Sequence, residues 1–346
     1  MELGIYSFGD LAADPHTGEV LGTRQRLANL VRHARTADEA GIEVFALGEH
    51  HRPDFGISAP EVVLAAVASV TERIRLSSAV TVLSTQDPVR VYQQYATLDQ
   101  LSGGRAEIIA GRGAFTESFP LFGHDLGRYE TLFDEKIRLL LQLAREERPV
   151  WSGTTRSPLN GEYVAPRALQ DPLPVWIGVG GTPASSMRAG LLGAPLFLAL
   201  FTGPGHARGL VDVYHRAAEQ AGHPREALRV ASGGHMFVGR RSQDAKDAFF
   251  PYYSRYFRFH PNMRDGMPRA TYDAWLADGL VVGSPQEVAD KILRHHEVLG
   301  STRYVGQFDV GSMPDGMVRE SLELFAAEVA PVVRRESRPA LAAPVN

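Results

Sequence analysis

Apolar and polar positions along this chain come in alternating blocks: short runs of buried-strand character, each followed by a segment of helical period. "ELGIYSF" (2–8) is the first apolar run, and residues 23–41 then carry apolar positions at three- and four-residue spacing up to Gly41. "EVFAL" (43–47) precedes 59–72, where an early proline suits a first helical turn whose N–H groups lack partners. The scheme recurs with "IRLSSAVTVL" (74–83) before 88–101, "RAEIIAG" (105–111) before 128–146 and "PVWIGVG" (174–180) before a helix from Pro183. It continues with "APLFLAL" (194–200) before 206–221, "LRVASGGHMFVG" (228–239) before a helix from Ser242, and "TRYVGQFDV" (302–310) before 314–331. A Ser-x-x-Glu capping box at Ser284 and Glu287 starts one further helix.

Eight strand–helix units in a row predict an α/β fold of the (β/α)8 TIM-barrel type with insertions, rather than a doubly wound sheet. The insertions are 147–172 and an irregular 250–283. No linker divides the chain, so 1–335 is expected to form one barrel domain, with the Pro/Ala-rich 336–346 a disordered tail.

Composition narrows the partners. The chain has 346 residues, 44 % hydrophobic, with a net charge of −4, and its arginines are scattered among acids. That argues against nucleic acid, which needs clustered basic surface. The absence of cysteine removes disulfides, thiolate metal sites and a cysteine nucleophile. Without a leader-like start or a long apolar run, a soluble, cytoplasmic protein with no membrane partner is expected.

A parallel barrel does its chemistry at the C-terminal ends of its strands. "GEHHRP" follows the second strand, and alternation along an extended segment lets His50 face the cavity only if Glu49 and His51 do not both join it. A histidine there suits acid–base work, although three polar residues anchoring a loop would look the same. No H-E-x-x-H occurs, and His295–His296 lie within a helix on its expected outer surface, so no metal is predicted.

"AGRGAFTESF" (110–119) places Gly111, Arg112 and Gly113 at the end of the fourth strand. "VGGTPASSMRA" (179–189) runs Val179, Gly180, Gly181, Thr182 and Ser185 into a helix N-terminus. A Thr cap with proline behind it explains the second stretch by itself. Together with Arg112, an anion site for a phosphate is the better reading. In "SSAVTV", Ala79, Val80 and Thr81 are small or β-branched; they form either a plain core strand or the wall of a slot for a planar ring. Phe8, Glu49, Phe115 and Tyr253 are candidates for a mainly apolar substrate pocket.

In this order, "GEHHRPDFG", "SSAVTVLSTQDPVRVYQQYATLDQLSGGRAEIIAGRG", "FPLFG" and "GSPQEVADKI" resemble the bacterial luciferase-like family of flavin-dependent monooxygenases, flavin mononucleotide branch. The resemblance implies FMN in its reduced form, supplied by a separate flavin reductase that binds only transiently, and oxygenation of a small organic substrate through a flavin peroxide. It assigns His50 as the catalytic histidine, and Arg112 with Gly181, Thr182 and Ser185 as the phosphate site. It also implies a non-prolyl cis peptide at Ala79–Val80, a mobile loop over 250–283, and a homodimer formed through 59–72 and 88–101. Where luciferase carries a cysteine beside the flavin this chain has Gly111, so light emission is not expected. Two alternatives share the barrel: deazaflavin-dependent hydride transfer, and a non-catalytic flavin-binding subunit, against which the presence of His50 and Arg112 speaks.

Overall fold

The apolar runs become strands because each is buried on both faces, against the barrel interior and against the helices outside. The computed structural model describes residues 1–337; most of the expected tail, from 338 onward, lies outside them. The barrel strands are β1 (Glu2–Ser7), β2 (Val44–Leu47), β3 (Arg75–Ser78), β4 (Ala106–Gly111), β5 (Val175–Val179), β6 (Leu196–Ala199), β7 (Val230–Val238) and β8 (Arg303–Gln307). Every neighbouring pair is parallel, and β8 pairs with both β7 and β1, so the sheet of eight strands closes. This is the (β/α)8 barrel that the alternating pattern predicted.

The outer helices are α1 (Thr23–Glu39), α2 (Pro60–Ala68), α3 (Pro88–Ser102), α4 (Tyr129–Arg145), α5 (Pro183–Leu191), α6 (Arg208–Gln220), α7 (Ser242–Tyr256), α8 (Pro285–Leu299) and α9 (Asp315–Leu324). The start and stop of α3 are written locally. Asp87 accepts hydrogen bonds from the N–H groups of Val89 and Arg90, Pro88 occupies the first turn, and Gly103 ends the helix at φ +69°.

Four expectations need correction. The strand read over 74–83 is interrupted: β3 stops at Ser78, a cis peptide joins Ala79 to Val80, and only Thr81–Val82 resumes pairing, with β4. The stretch 250–283 is not irregular. It finishes α7, makes 3-10 turns at Phe257–Phe259 and Pro261–Met263, forms a helix at Arg269–Asp278, and adds a strand, Val281–Gly283, beside β7. The capping box is half made: Ser284 accepts from the Glu287 N–H, but the Glu287 carboxylate turns to Ser242, Lys246 and Lys291. Burial raises the Glu287 pKa, yet those partners hold it down at about 2. Finally, His295 is not on the outer surface. It is buried against Tyr304 with Nδ1 3.0 Å from Ser232 Oγ, and burial pushes its pKa down to about 4.

The two ends of the barrel are filled differently. At the N-terminal end Arg303 is fully buried, 2.5 Å from the Glu107 carboxylate and 2.7 Å from Glu2. Its guanidinium lies over the Trp176 ring at 4.7 Å, with Arg229 at 4.8 Å from the same ring. Above this charged floor the interior is lined by Tyr6, Ala46, Ala79, Ile109, Phe197, Ala231 and Val305.

Candidate active site

Alternation along β2 and the loop after it decides which polar side chain meets the rim. His50 sits in a box of three aromatic rings, with centroids 4.7 Å from Phe8, 4.3 Å from Phe55 and 4.8 Å from Phe115. Its Nδ1 is 3.4 Å from Glu117 Oε1, and its backbone N–H donates to the carbonyl of Ile57. Burial raises the Glu117 carboxyl, but the hydrogen bond and charge of His50 outweigh it, so Glu117 stays below the ordinary glutamate value. Glu49 is buried and turned away from this box: its Oε2 accepts from Gln86 Nε2 at 2.7 Å, and His51 Nε2 lies 3.6 Å from its Oε1. Phe8 and Phe115 therefore share the surroundings of His50, and Glu49 does not.

The cis peptide Ala79–Val80 connects this box to the next cluster. A methyl group on Gly48 would strike both Phe8 and the Ala79 carbonyl, and one on Gly111 would stand 2.5 Å from the Val80 side chain. Glycine at both places is a packing requirement, the backbone of β2 and of β4 lying close against 79–80. Ala79 and Val80 belong to the interior lining. Thr81 and Val179 point elsewhere, Thr81 with its hydroxyl 3.2 Å from Tyr95 Oη, and Val179 into the core beneath the helices.

Beyond Gly111, Arg112 donates from Nη2 to Thr182 Oγ1 at 2.9 Å, and Thr182 and Ser185 hydroxyls are 2.7 Å apart. The Arg112 guanidinium lies 5.0 Å from the centroid of the Tyr129 ring, whose hydroxyl donates to the Gly113 carbonyl. A Cβ added at Gly180 or Gly181 would meet nothing within 4 Å. An arginine, two hydroxyls and a helix start beside open glycine backbone fit a phosphate. These residues suit a flavin. Among the described residues no cluster of three or more His, Asp or Glu could hold a metal ion.

Sequence reasoning missed several neighbours. Glu117 is in the quoted "AFTESF", but nothing in the spacing pairs it with His50. Arg188 lies three residues after Ser185, on the same helix face, which is a usable signal; it binds Glu130 Oε2 at 2.8 Å, and Glu130 also holds Arg112. The pocket candidate Tyr253 is fully buried, its hydroxyl 2.9 Å from Nδ1 of His235, a partner the sequence did not show. His235 stands beside Gln307 on the adjacent strand, and burial pushes its pKa down to about 3, so it is neutral.

Asp10 and Asp309 are both buried next to the His50 box. Ser7 Oγ donates to Asp309 at 2.6 Å, the Gly311 N–H to Asp10 at 2.6 Å, and Arg26 is 3.7 Å from Asp309. Burial, then the charge of Asp309, pushes Asp10 up to about 8 from 3.8. A group raised in this way binds its proton more tightly when folded. Its contribution to stability is full below 3.8 and is lost as pH rises toward 8. Asp10→Asn has no proton to lose, so its melting temperature should fall less than that of the wild type between about pH 5 and about pH 8. Equal slopes in thermal melts would contradict the assignment.

Parallel barrels carry chemistry at this rim, where the His50 box and the Arg112, Thr182 and Ser185 cluster both lie, and the protein is a flavin-type oxidoreductase. The family can be stated more closely. The family model described as luciferase-like monooxygenase matches residues 1–302, and the chain belongs to that family. An alkanal monooxygenase alpha chain from Photorhabdus laumondii is 23% identical over 339 residues, covering 90% of this chain and 94% of that protein. Among solved structures, a monooxygenase from Streptomyces bottropensis superposes with TM-score 0.83 at 24% identity, covering 96% of this chain and 99% of its own. The oxygenating constituent of 3,6-diketocamphane monooxygenase of Pseudomonas putida, in complex with FMN, gives 0.76 at 22%, covering 96% and 98%. An F420-dependent secondary alcohol dehydrogenase gives 0.73 at 18%, covering 96% and 100%. No helix among the described residues is long and apolar enough to cross a membrane.

Proposed function

We propose that this chain is the oxygenase component of an FMN-dependent monooxygenase, fed with reduced FMN by a separate reductase and acting on a small, largely apolar organic substrate. The observation that carries the reading is the continuity of the rim, from the His50 box across 79–80 and Gly111 to Arg112, Thr182 and Ser185. Reduced flavin bound there would supply electrons to dioxygen and so the oxygen atom for the substrate. The chain's own part is placement and proton control. Arg112, Thr182 and Ser185 hold the phosphate, and the small residues leave the ring its slot. Glu117 stands 3.4 Å from Nδ1 of His50 and would hold the imidazole so that Nε2 faces the reacting centre, placed to hold or pass one proton.

Water exclusion falls to the aromatic wall. Phe259, from the 250–283 segment, meets Phe115 at 4.9 Å, and Arg52 lies over the rings of Phe55, Phe115 and Phe259. Tyr252 and Arg255 tie the same segment to Asp14. This apolar cover supports an apolar substrate and a reaction protected from solvent.

A deazaflavin-dependent dehydrogenase is the second reading, favoured by the fold shared with the alcohol dehydrogenase. An anaerobic titration with reduced FMN, reduced riboflavin and reduced deazaflavin tests both. FMN is expected to bind best, and Arg112→Ala should weaken it at least tenfold, on the order of 1.5–3 kcal/mol for a charge-assisted hydrogen bond, with riboflavin little changed. Preferential binding of the deazaflavin would overturn the proposal.

A further inference from the structure

The cradle at Arg112 contains an acid as well as bases. Glu130, the second residue of α4, spans two guanidinium groups: Oε1 takes Arg112 Nη1, and Oε2 takes Arg188 Nη2 at 2.8 Å. Arg188 also reaches Asp134 at 3.2 Å through Nε, and Asp134 is shared with Arg138. Arg112 therefore offers Thr182 one arm of its fork, while a carboxylate occupies the other. A phosphate engaging that fork in the usual two-armed way must take the second arm from Glu130.

We propose that Glu130 competes with the flavin phosphate for Arg112 and Arg188, and thereby sets how loosely the chain holds its flavin. The inference rests on the reading of Arg112, Thr182 and Ser185 as the phosphate site. Three arginines and two carboxylates leave the cluster with one net positive charge. A phosphate dianion added beside Glu130 makes the total negative; added in exchange for Glu130, it does not. Exchange is feasible, because the Glu130 side chain is 59% exposed and can turn into water, while those of Arg112 and Arg188 are 18% and 13% exposed and stay in place. The result is a site that recognises phosphate but releases it readily, which suits a flavin that arrives and leaves in each turnover rather than one bound permanently.

The test is an anaerobic equilibrium titration of the wild type and of Glu130→Gln with reduced FMN and reduced riboflavin at fixed ionic strength. Glu130→Gln should tighten FMN by about three- to tenfold, the size expected for releasing two partly exposed ion pairs, with riboflavin unchanged. Inorganic phosphate, which would use the same fork, should likewise bind the variant more tightly than the wild type, by a similar factor. Unchanged or weaker FMN binding by Glu130→Gln, in a wild type that prefers FMN to riboflavin, would overturn the competition and assign Glu130 to orienting the arginines. Equal binding of FMN and riboflavin by the wild type would instead remove the phosphate reading, and this inference with it. Should Glu130→Gln fail to fold, Glu130→Asp, too short to span both arginines, carries the same expectation.

Discussion

His50→Ala should release as hydrogen peroxide nearly all the dioxygen it consumes, with oxygenated product reduced by about 100-fold or more, while its affinity for reduced FMN stays within about twofold. The two effects separate because His50 touches neither Arg112, Thr182 nor Ser185, and its neighbours are the rings of Phe8, Phe55 and Phe115. Those rings surround the imidazole, and the Glu117 carboxylate lies 3.4 Å from its Nδ1. Glu117→Gln keeps the shape and loses the charge, so it should fall between the wild type and His50→Ala. Peroxide released per reduced FMN consumed, with aldehydes and ketones screened as substrates, is the readout. Unchanged coupling in His50→Ala would leave the histidine a wall residue only.

Most of the fold was legible in the sequence, for reasons that can be named. The eight strands could be read because strands buried on both faces show as continuous apolar runs, and each is followed by a segment of helical period. His50, Arg112 and Thr182 could be nominated as candidates because a barrel fixes which strand ends matter before any side chain is placed. Partners contributed by other elements could not be read. Glu117 meets His50 across 67 residues of chain, and Glu130 meets Arg188 across 58. At the break in β3 at Ala79–Val80, Gly48 and Gly111 pack close, contacts that leave no periodic trace in residues 74–83. His295 misled for a related reason: a polar residue in an amphipathic pattern reads as surface unless its partner, here Ser232, is already known.

The charged floor is the clearest case of a feature hidden in the sequence, and it carries the largest expected effect on stability. Arg303 looks in the sequence like the polar start of a strand, yet its side chain is only 1% exposed and Glu107, its partner, 2%. Burial lowers the pKa of a guanidinium, but the nearby carboxylates of Glu107 and Glu2 outweigh it, so Arg303 is held charged. Arg303→Ala should lower folding stability by about 3–5 kcal/mol, because it leaves the Glu107 charge buried without a partner and opens a gap under Trp176. The loss is not the worth of the pair itself. Replacing both members, as in Arg303→Met with Glu107→Leu, removes the uncompensated charge and refills the volume, and should recover most of the stability. Denaturant unfolding of the two variants gives the comparison directly. If the single change costs less than about 1 kcal/mol, solvent reaches the floor and the pair is not dry.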